Sequence, residues 1–192
     1  MKHLELKKIV LIGASTGGPG QIQKIIKAIP KLQNTSVIIA QHMVDGFMDS
    51  FANNLPNTYN NTISVVYDNQ LLQSSNIYVV DGETKLKNAN QQLSFSKKQT
   101  APNSYNPNIN ILFNSFVPLC KNIKILTVIL TGIGDDGVEA CKSLGENNAR
   151  CMTESKESAI IDGMPNRARQ EVENIEVKNI DEIVNSIKEF CK

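Results

Sequence analysis

The sequence predicts an α/β fold: a doubly wound, mostly parallel sheet with an antiparallel hairpin or meander appended to one edge. Three observations predict it. Short apolar runs rich in Ile and Val alternate with stretches whose apolar residues recur at helical spacing, in both halves of the chain. The first two runs bracket one such stretch, which makes a β-α-β unit and requires a right-handed crossover between parallel strands. Residues 62–97 break this rhythm with short alternating runs and turn residues. At 192 residues the chain has the length of one domain, residues 1–192.

Each element has its own signal. Ile9–Ile12 and Val37–Ala40 are apolar almost throughout, as strands covered on both faces should be. Between them, Ile22, Ile25, Ile26 and Ile29 fall on one helical face, and a second helix is expected over Phe47–Leu55. ISVVY, NIYVV and QLSFS alternate, with Asp81-Gly82 and Asn88–Asn90 as turns, and are read as the meander. Residues 98–108, KQTAPNSYNPN, are polar and rich in Pro and Asn, hence a loop able to gate access locally. A helical pattern resumes over Ile109–Cys120. Ile125–Leu130 is a further buried strand, followed by a helix from about Asp136 to Leu144. At the end, Ile180, Ile183, Val184 and Ile187 line a helix face behind Asn179 and Glu182, a capping box with Asn in place of Ser or Thr.

Composition narrows the function. Hydrophobic residues at 41% against 20% charged indicate a packed core, and without Trp that core must be mainly Ile, Val and Leu. A net charge of +1 with no basic run gives no support to nucleic-acid binding. No segment has the roughly 20 apolar residues of a membrane span, and MKHLELKK is not followed by a signal-peptide core, so a cytoplasmic protein is expected. Cys120, Cys141, Cys151 and Cys191 are widely spaced and read as small buried hydrophobes. The two histidines, His3 and His42, stand in no cluster of metal ligands, so neither a metal nor an organic cofactor is expected.

The chemistry concentrates where strands end. Gly13-Ala14-Ser15-Thr16-Gly17 follows the first strand and precedes a helix, the G-x-S-x-G pattern of a nucleophile elbow. Gly13 and Gly17 permit the turn, Gly18 permits close approach, and Pro19 suits a first helical turn. A generic Gly-rich loop is the plain alternative for this motif alone. His42 directly follows the strand VIIAQ, and consecutive strands of one β-α-β unit bring Ser15 and His42 to the same crevice. Thr131-Gly132-Ile133-Gly134-Asp135-Asp136-Gly137 follows ILTVIL and opens a helix. Acidic residues there would suit a helix start, but the glycines exceed what a cap needs. Ser, His and Asp each ending a separate strand meet the geometric requirement of a triad, in a chain order unlike that of α/β-hydrolases.

These residues carry a resemblance. GASTGGPGQIQKIIKAIP, IIAQHMVDGFMDSFANNL, ILTGIGDDGVEACKSLGENNAR and SAIIDGMPNRA closely resemble the catalytic domain of CheB, the bacterial chemoreceptor methylesterase, over about residues 7–170. The resemblance implies hydrolysis of glutamate methyl esters on the cytoplasmic helices of chemoreceptors, and in some members deamidation of receptor glutamines. It places the nucleophile at Ser15, the base at His42 and the third member at Asp136, with Asp135 the competing candidate. Oxyanion stabilisation maps to backbone N–H groups around Thr16 and Ile133. The likeness departs at Pro107-Asn108-Ile109-Asn110, where the family more often has Ser and Asp preceded by basic residues. The family also carries an N-terminal phosphorylatable receiver domain, whereas this chain begins a few residues before its first strand. Constitutive competence is therefore expected, with any regulation supplied by a partner in trans.

Two rival readings stand beside the esterase. A phosphate- or nucleotide-binding module would use GASTGGPG as a cradle, but the G-K-[ST] ending and the G-x-G-x-x-G register are both missing. A non-catalytic receptor-binding scaffold would have no reason to keep all three triad residue types.

Overall fold

The computed structural model describes residues 5–89, 92–102 and 104–192. Seven strands form one parallel sheet in the order β3-β4-β2-β1-β7-β8-β9, and a two-stranded antiparallel hairpin, β5-β6, stands apart from it. The sheet strands are β1 (Lys8–Ala14), β2 (Thr35–Gln41), β3 (Thr62–Val65), β4 (Asn76–Val79), β7 (Lys124–Ile129), β8 (Arg150–Glu154) and β9 (Glu176–Lys178). The hairpin is β5 (Glu83–Ala89) with β6 (Gln92–Lys98). The helices are α1 (Gly18–Ala28), α2 (Met48–Asn53), α3 (Ile109–Asn114), α4 (Val138–Glu146), α5 (Gly163–Glu171) and α6 (Ile180–Cys191), with one 3-10 turn over Val117–Lys121.

Alternation along β1 sorts the core into two layers, because successive side chains point to opposite faces. Val10, Ile12 and Ala14 pack with Ile22 and Ile25 of α1, Phe51 of α2, and Ile183 and Ile187 of α6. Ile9 and Leu11 pack with Leu112 and Phe113 of α3, Leu144 of α4, Ala168 of α5, and Leu86 and Phe95 of the hairpin. Both faces are covered, so the central strands had to be apolar on both sides. The capping box of α6 forms as expected, with Asn179 Oδ1 accepting from Glu182 N and Glu182 Oε2 from Asn179 N.

The middle of the chain contains the expected antiparallel hairpin but not the three-run meander. ISVVY and NIYVV supply β3 and β4, which pair in parallel with each other, and β4 pairs in parallel with β2. Only QLSFS lies in an antiparallel pair, facing Glu83–Ala89. Alternation reports that a strand has two unlike faces; it carries no information about the direction of its partner. The turn expected at Asn88–Asn90 falls instead on the end of β5 for Asn88, while Asn90 lies outside the described residues, as does His3.

Other boundaries shift for local reasons. α4 begins at Val138 rather than Asp136 because Gly137 occupies the left-handed region at φ 93°. The helical pattern over Ile109–Cys120 breaks at Ser115 into α3 and the 3-10 turn that holds Pro118. Cys141, Cys151 and Cys191 are buried, whereas Cys120 is half-buried on that turn, so the reading of four buried cysteines holds for three. Burial pushes the Cys191 thiol up to about 12. Strands β8 and β9 and helix α5 were not anticipated as elements. No helix among the described residues is long and apolar enough to cross a membrane.

Candidate active site

Strand register builds the site. Ala14 pairs with Gln41 and Gly13 with Ile129, so one step beyond the first pair sets Ser15 beside His42, and two steps beyond the second set it beside Thr131. The bonds beyond the strands continue that register: His42 N donates to Ala14 O at 2.9 Å, and Ser15 N to Thr131 O at 3.0 Å. All three chain segments leave the sheet at its carboxyl end, where parallel sheets gather their functional groups.

The turn after β1 is tight because its glycines allow it. Gly17 caps α1 at φ 85°, and a Cβ there would lie 2.8 Å from Ile160 Cβ. Gly132, on the neighbouring turn, touches the elbow directly: an added Cβ would sit 2.6 Å from Ser15 Cβ and 2.4 Å from Met164 Sδ. Ser15 is thereby packed from behind while remaining half-buried at the front. Thr131 Oγ1 donates to Thr16 O at 2.9 Å and accepts from Ile161 N at 2.8 Å, tying the elbow to the loop before α5.

His42 and Asp136 are bonded. His42 Nε2 lies 2.8 Å from Asp136 Oδ2, with the carboxylate 1% exposed and the imidazole 12%. Asp136 also accepts from Ile109 N at 2.8 Å and Asn110 N at 2.9 Å, so three donors converge on a buried carboxylate. These contacts satisfy both oxygens of the buried Asp136 carboxyl group, as a buried polar group requires. Its neighbour Asp135 is exposed and offers its backbone carbonyl to Val138 N. Of the adjacent pair, only Asp136 reaches the histidine.

Ser15, Thr16, His42, Tyr105 and Ile133 line one open cleft of about 460 Å³. Ser15 and His42 thus share a wall, although no hydrogen bond joins Ser15 Oγ to His42. Among the described residues, neither the Thr16 N–H nor the Ile133 N–H has an acceptor within the chain. Both residues line the cleft together with Ser15. Among the described residues, no group of three His, Cys, Asp or Glu side chains could hold a metal ion.

Sequence reasoning missed three residues. The Tyr105 ring stacks on the His42 imidazole at 4.7 Å with planes 5° apart. Asn106 ties the loop down: its carbonyl accepts from Met43 N at 2.9 Å, and its Oδ1 accepts from Gly82 N and Thr100 Oγ1, each at 2.9 Å. The expected gating loop is therefore fastened to the segment that carries His42. Neither residue had a signal in a polar, Pro/Asn-rich stretch. Gln41 did have one, being the single polar residue that closes the apolar run VIIAQ; its Nε2 donates to Ser15 O at 2.9 Å and to His42 O at 2.8 Å. Asn108, where the family resemblance lapses, caps α3 by accepting from Ile111 N, and the Asn110 side chain accepts from Ala140 N of α4.

Comparison with known proteins finds relatives along most of the chain. The family model described as CheB methylesterase matches residues 10–187. The protein-glutamate methylesterase/protein-glutamine glutaminase of Bacillus subtilis is 32% identical over 97% of this chain and 53% of its own length. The protein of that name from Halalkalibacterium halodurans is 30% identical over 97% of this chain and 54% of its own. The chain thus spans about half the length of these curated relatives. Among solved structures, the Thermotoga maritima CheB methylesterase catalytic domain superposes with a TM-score of 0.85 at 27% identity, covering 95% of this chain and 98% of that one.

Proposed function

This chain belongs to the CheB methylesterase family, and we propose that it is a single methylesterase catalytic domain that hydrolyses glutamate γ-methyl esters by acyl transfer through Ser15. The observation that carries the reading is the half-buried serine sharing a cleft with a histidine whose far nitrogen is bonded to a buried carboxylate. The substrate class comes from the names of the relatives, which are called protein-glutamate methylesterases and protein-glutamine glutaminases.

The chemistry follows from the parts. Asp136 engages Nε2 of His42, so Nδ1 is the nitrogen left to accept a proton, and the carboxylate fixes that tautomer. As His42 takes the Ser15 hydroxyl proton, Oγ attacks the ester carbonyl carbon and its π electrons move to oxygen. The N–H groups of Thr16 and Ile133 receive that oxyanion; such donors are aimed before reaction and need no reorganisation. The C–O bond to the methoxy group breaks, and methanol departs with the proton held by His42. Water then gives His42 a proton as it attacks the glutamyl-serine ester, releasing glutamate and restoring the serine hydroxyl. A glutamine side chain can enter the same cycle with ammonia as the leaving group. No step calls on a metal or an organic cofactor.

The substrates in this reading are the cytoplasmic methyl-accepting helices of chemoreceptors, which places its site of action in the cytoplasm. The exposed, half-apolar cleft mouth formed by Tyr105 and Ile133 suits a side chain presented from a protein surface better than a free small molecule. The test is direct: incubation with a chemoreceptor cytoplasmic fragment bearing labelled methyl glutamates should release labelled methanol. Absence of release from a folded protein would remove the esterase reading and leave a receptor-binding scaffold.

A further inference from the structure

One buried polar atom is left without a partner beside this site. Gln41 is 2% exposed, and among the described residues its Oε1 accepts no hydrogen bond. Leaving a buried carbonyl unpaired is unfavourable, so its presence needs a reason. The other half of the amide supplies one. Gln41 Nε2 donates one bond to Ser15 O and one to His42 O, clamping the backbones of both residues.

The planarity of the peptide group turns this clamp into a device. The Ser15 C=O and the Thr16 N–H belong to one peptide unit, and in a trans peptide they point in opposite directions. Whatever holds the carbonyl aims the N–H. Ser15 O accepts from Gln41 Nε2 and also from Gly18 N, each at 2.9 Å, so both its lone pairs are occupied inward. The Thr16 N–H is thereby turned toward the cleft. On the second strand, the His42 C=O and the Met43 N–H share a peptide in the same way, and Met43 N donates to Asn106 O beneath Tyr105. One NH₂ group thus holds the carbonyls of both peptides, with Gly18 N and Asn106 O as the second anchor of each.

The clamp also explains Gly18. A Cβ at that position would lie 2.0 Å from Gln41 Oε1 and 2.7 Å from Ala14 Cβ, so the amide can reach Ser15 only over a glycine.

We propose that Gln41 is a positioning residue of the esterase: its carboxamide aims the Thr16 N–H at the developing oxyanion and holds the His42 backbone in register with Ser15. This rests on the acyl-transfer reading above. A residue with this role governs the transition state more than ground-state binding. Gln41→Met keeps the length of the side chain and removes both donors. We expect kcat for methanol release to fall ~10- to 100-fold with KM changed less than about twofold, somewhat short of the ~10²–10³-fold loss of a whole oxyanion donor. Affinity for a boronic-acid analogue of the γ-glutamyl ester, which forms a tetrahedral adduct on serine, should fall by the same factor as kcat. A folded Gln41→Met protein with wild-type kcat and wild-type boronate affinity would overturn the proposal. Failure of the wild-type protein to release methanol would instead strike the esterase reading. Should the variant not fold, ¹⁵N NMR of the wild-type chain decides: the clamp requires slow solvent exchange of both Gln41 side-chain amide protons, and rapid exchange overturns it.

Discussion

The turn after β1 and the turn after β7 are built alike and used differently. Each leaves a buried parallel strand, passes a glycine in the left-handed region, Gly17 at φ 85° or Gly137 at φ 93°, and starts a helix from it. In the first turn the functional residue stands two positions before that glycine and is half-buried; in the second it stands one position before and is 2% exposed. The cover decides this: Thr16, one position before Gly17, is exposed, whereas Asp136, one position before Gly137, lies beneath the Ile109 and Asn110 N–H groups of α3. Ser15 lines the cleft, its hydroxyl without a partner among the described residues, whereas Asp136 is turned inward onto two backbone N–H groups and His42. One local conformation thus yields an accessible hydroxyl and an inaccessible carboxyl group. Each turn also carries an N–H without an acceptor among the described residues, at Thr16 and at Ile133.

The comparison can be broken at several strengths. His42, which joins the two turns, should be the most sensitive point. His42→Ala is expected to reduce methanol release by several orders of magnitude without unfolding the chain. Combining it with Asp136→Asn should add little, because residues acting as one unit lose function together. Additive losses, measured as the ratio of kcat/KM values, would mean that the two do not cooperate.

Asp136→Asn alone should be nearly as severe, about 10⁴-fold by analogy with the serine-protease aspartate, since the imidazole would lose its tautomer. Asp135→Asn, one residue away and exposed, should change the rate by less than about threefold. The opposite ranking would show that the inward-facing carboxylate is not the functional one.

The paired glycines give a graded test. Alanine at either position is held in a conformation that costs ~1–3 kcal/mol. At Gly137 the new methyl would also lie 2.5 Å from Ile109 Cγ2, inside the core, whereas at Gly17 it meets the side chain of Ile160, which is 62% exposed. Gly137→Ala should therefore lower the unfolding free energy more than Gly17→Ala. Denaturant titration checks the order.

Far from both turns, effects should be small. Arg150 beside Glu176, with help from Lys178, holds that carboxyl down to about 2 from an ordinary 4.5. A depressed carboxylate contributes stability that is complete above the ordinary value and is lost as pH falls through about 2. Because the pair is largely open to solvent, Glu176→Gln should cost less than about 1 kcal/mol near neutrality. It should leave turnover unchanged, and a lost rate would show that the β8–β9 edge communicates with the site.

The two turns were also legible to different degrees. Around Ser15 the spacing of small residues, the strand before and the Pro after all point one way. Around Asp136 two acidic neighbours fit the same pattern, and only burial separates them, which depends on where α3 places Ile109 N and Asn110 N. The parallel core was readable because fully buried strands must be apolar on both faces. The pairing of β3 and β4 was not, since an edge strand alternates whichever way its neighbour runs. Tyr105 was illegible because its partner lies 63 residues back, and a loop's composition does not say what the loop is fastened to. Gln41 was visible as a polar residue ending an apolar strand; its meaning needed the peptide planes on either side.

The central claim is that these two turns converge on a serine-centred acyl transfer, and Ser15 tests it most directly. Wild-type protein and Ser15→Ala, matched for folded content by circular dichroism, should be given a receptor fragment with labelled methyl glutamates and assayed for volatile methanol. The account predicts rapid release by the wild type and a residual rate at least ~10³-fold lower for the variant, what remains coming from binding and the two N–H groups. Methanol release by Ser15→Ala at the wild-type rate would contradict it.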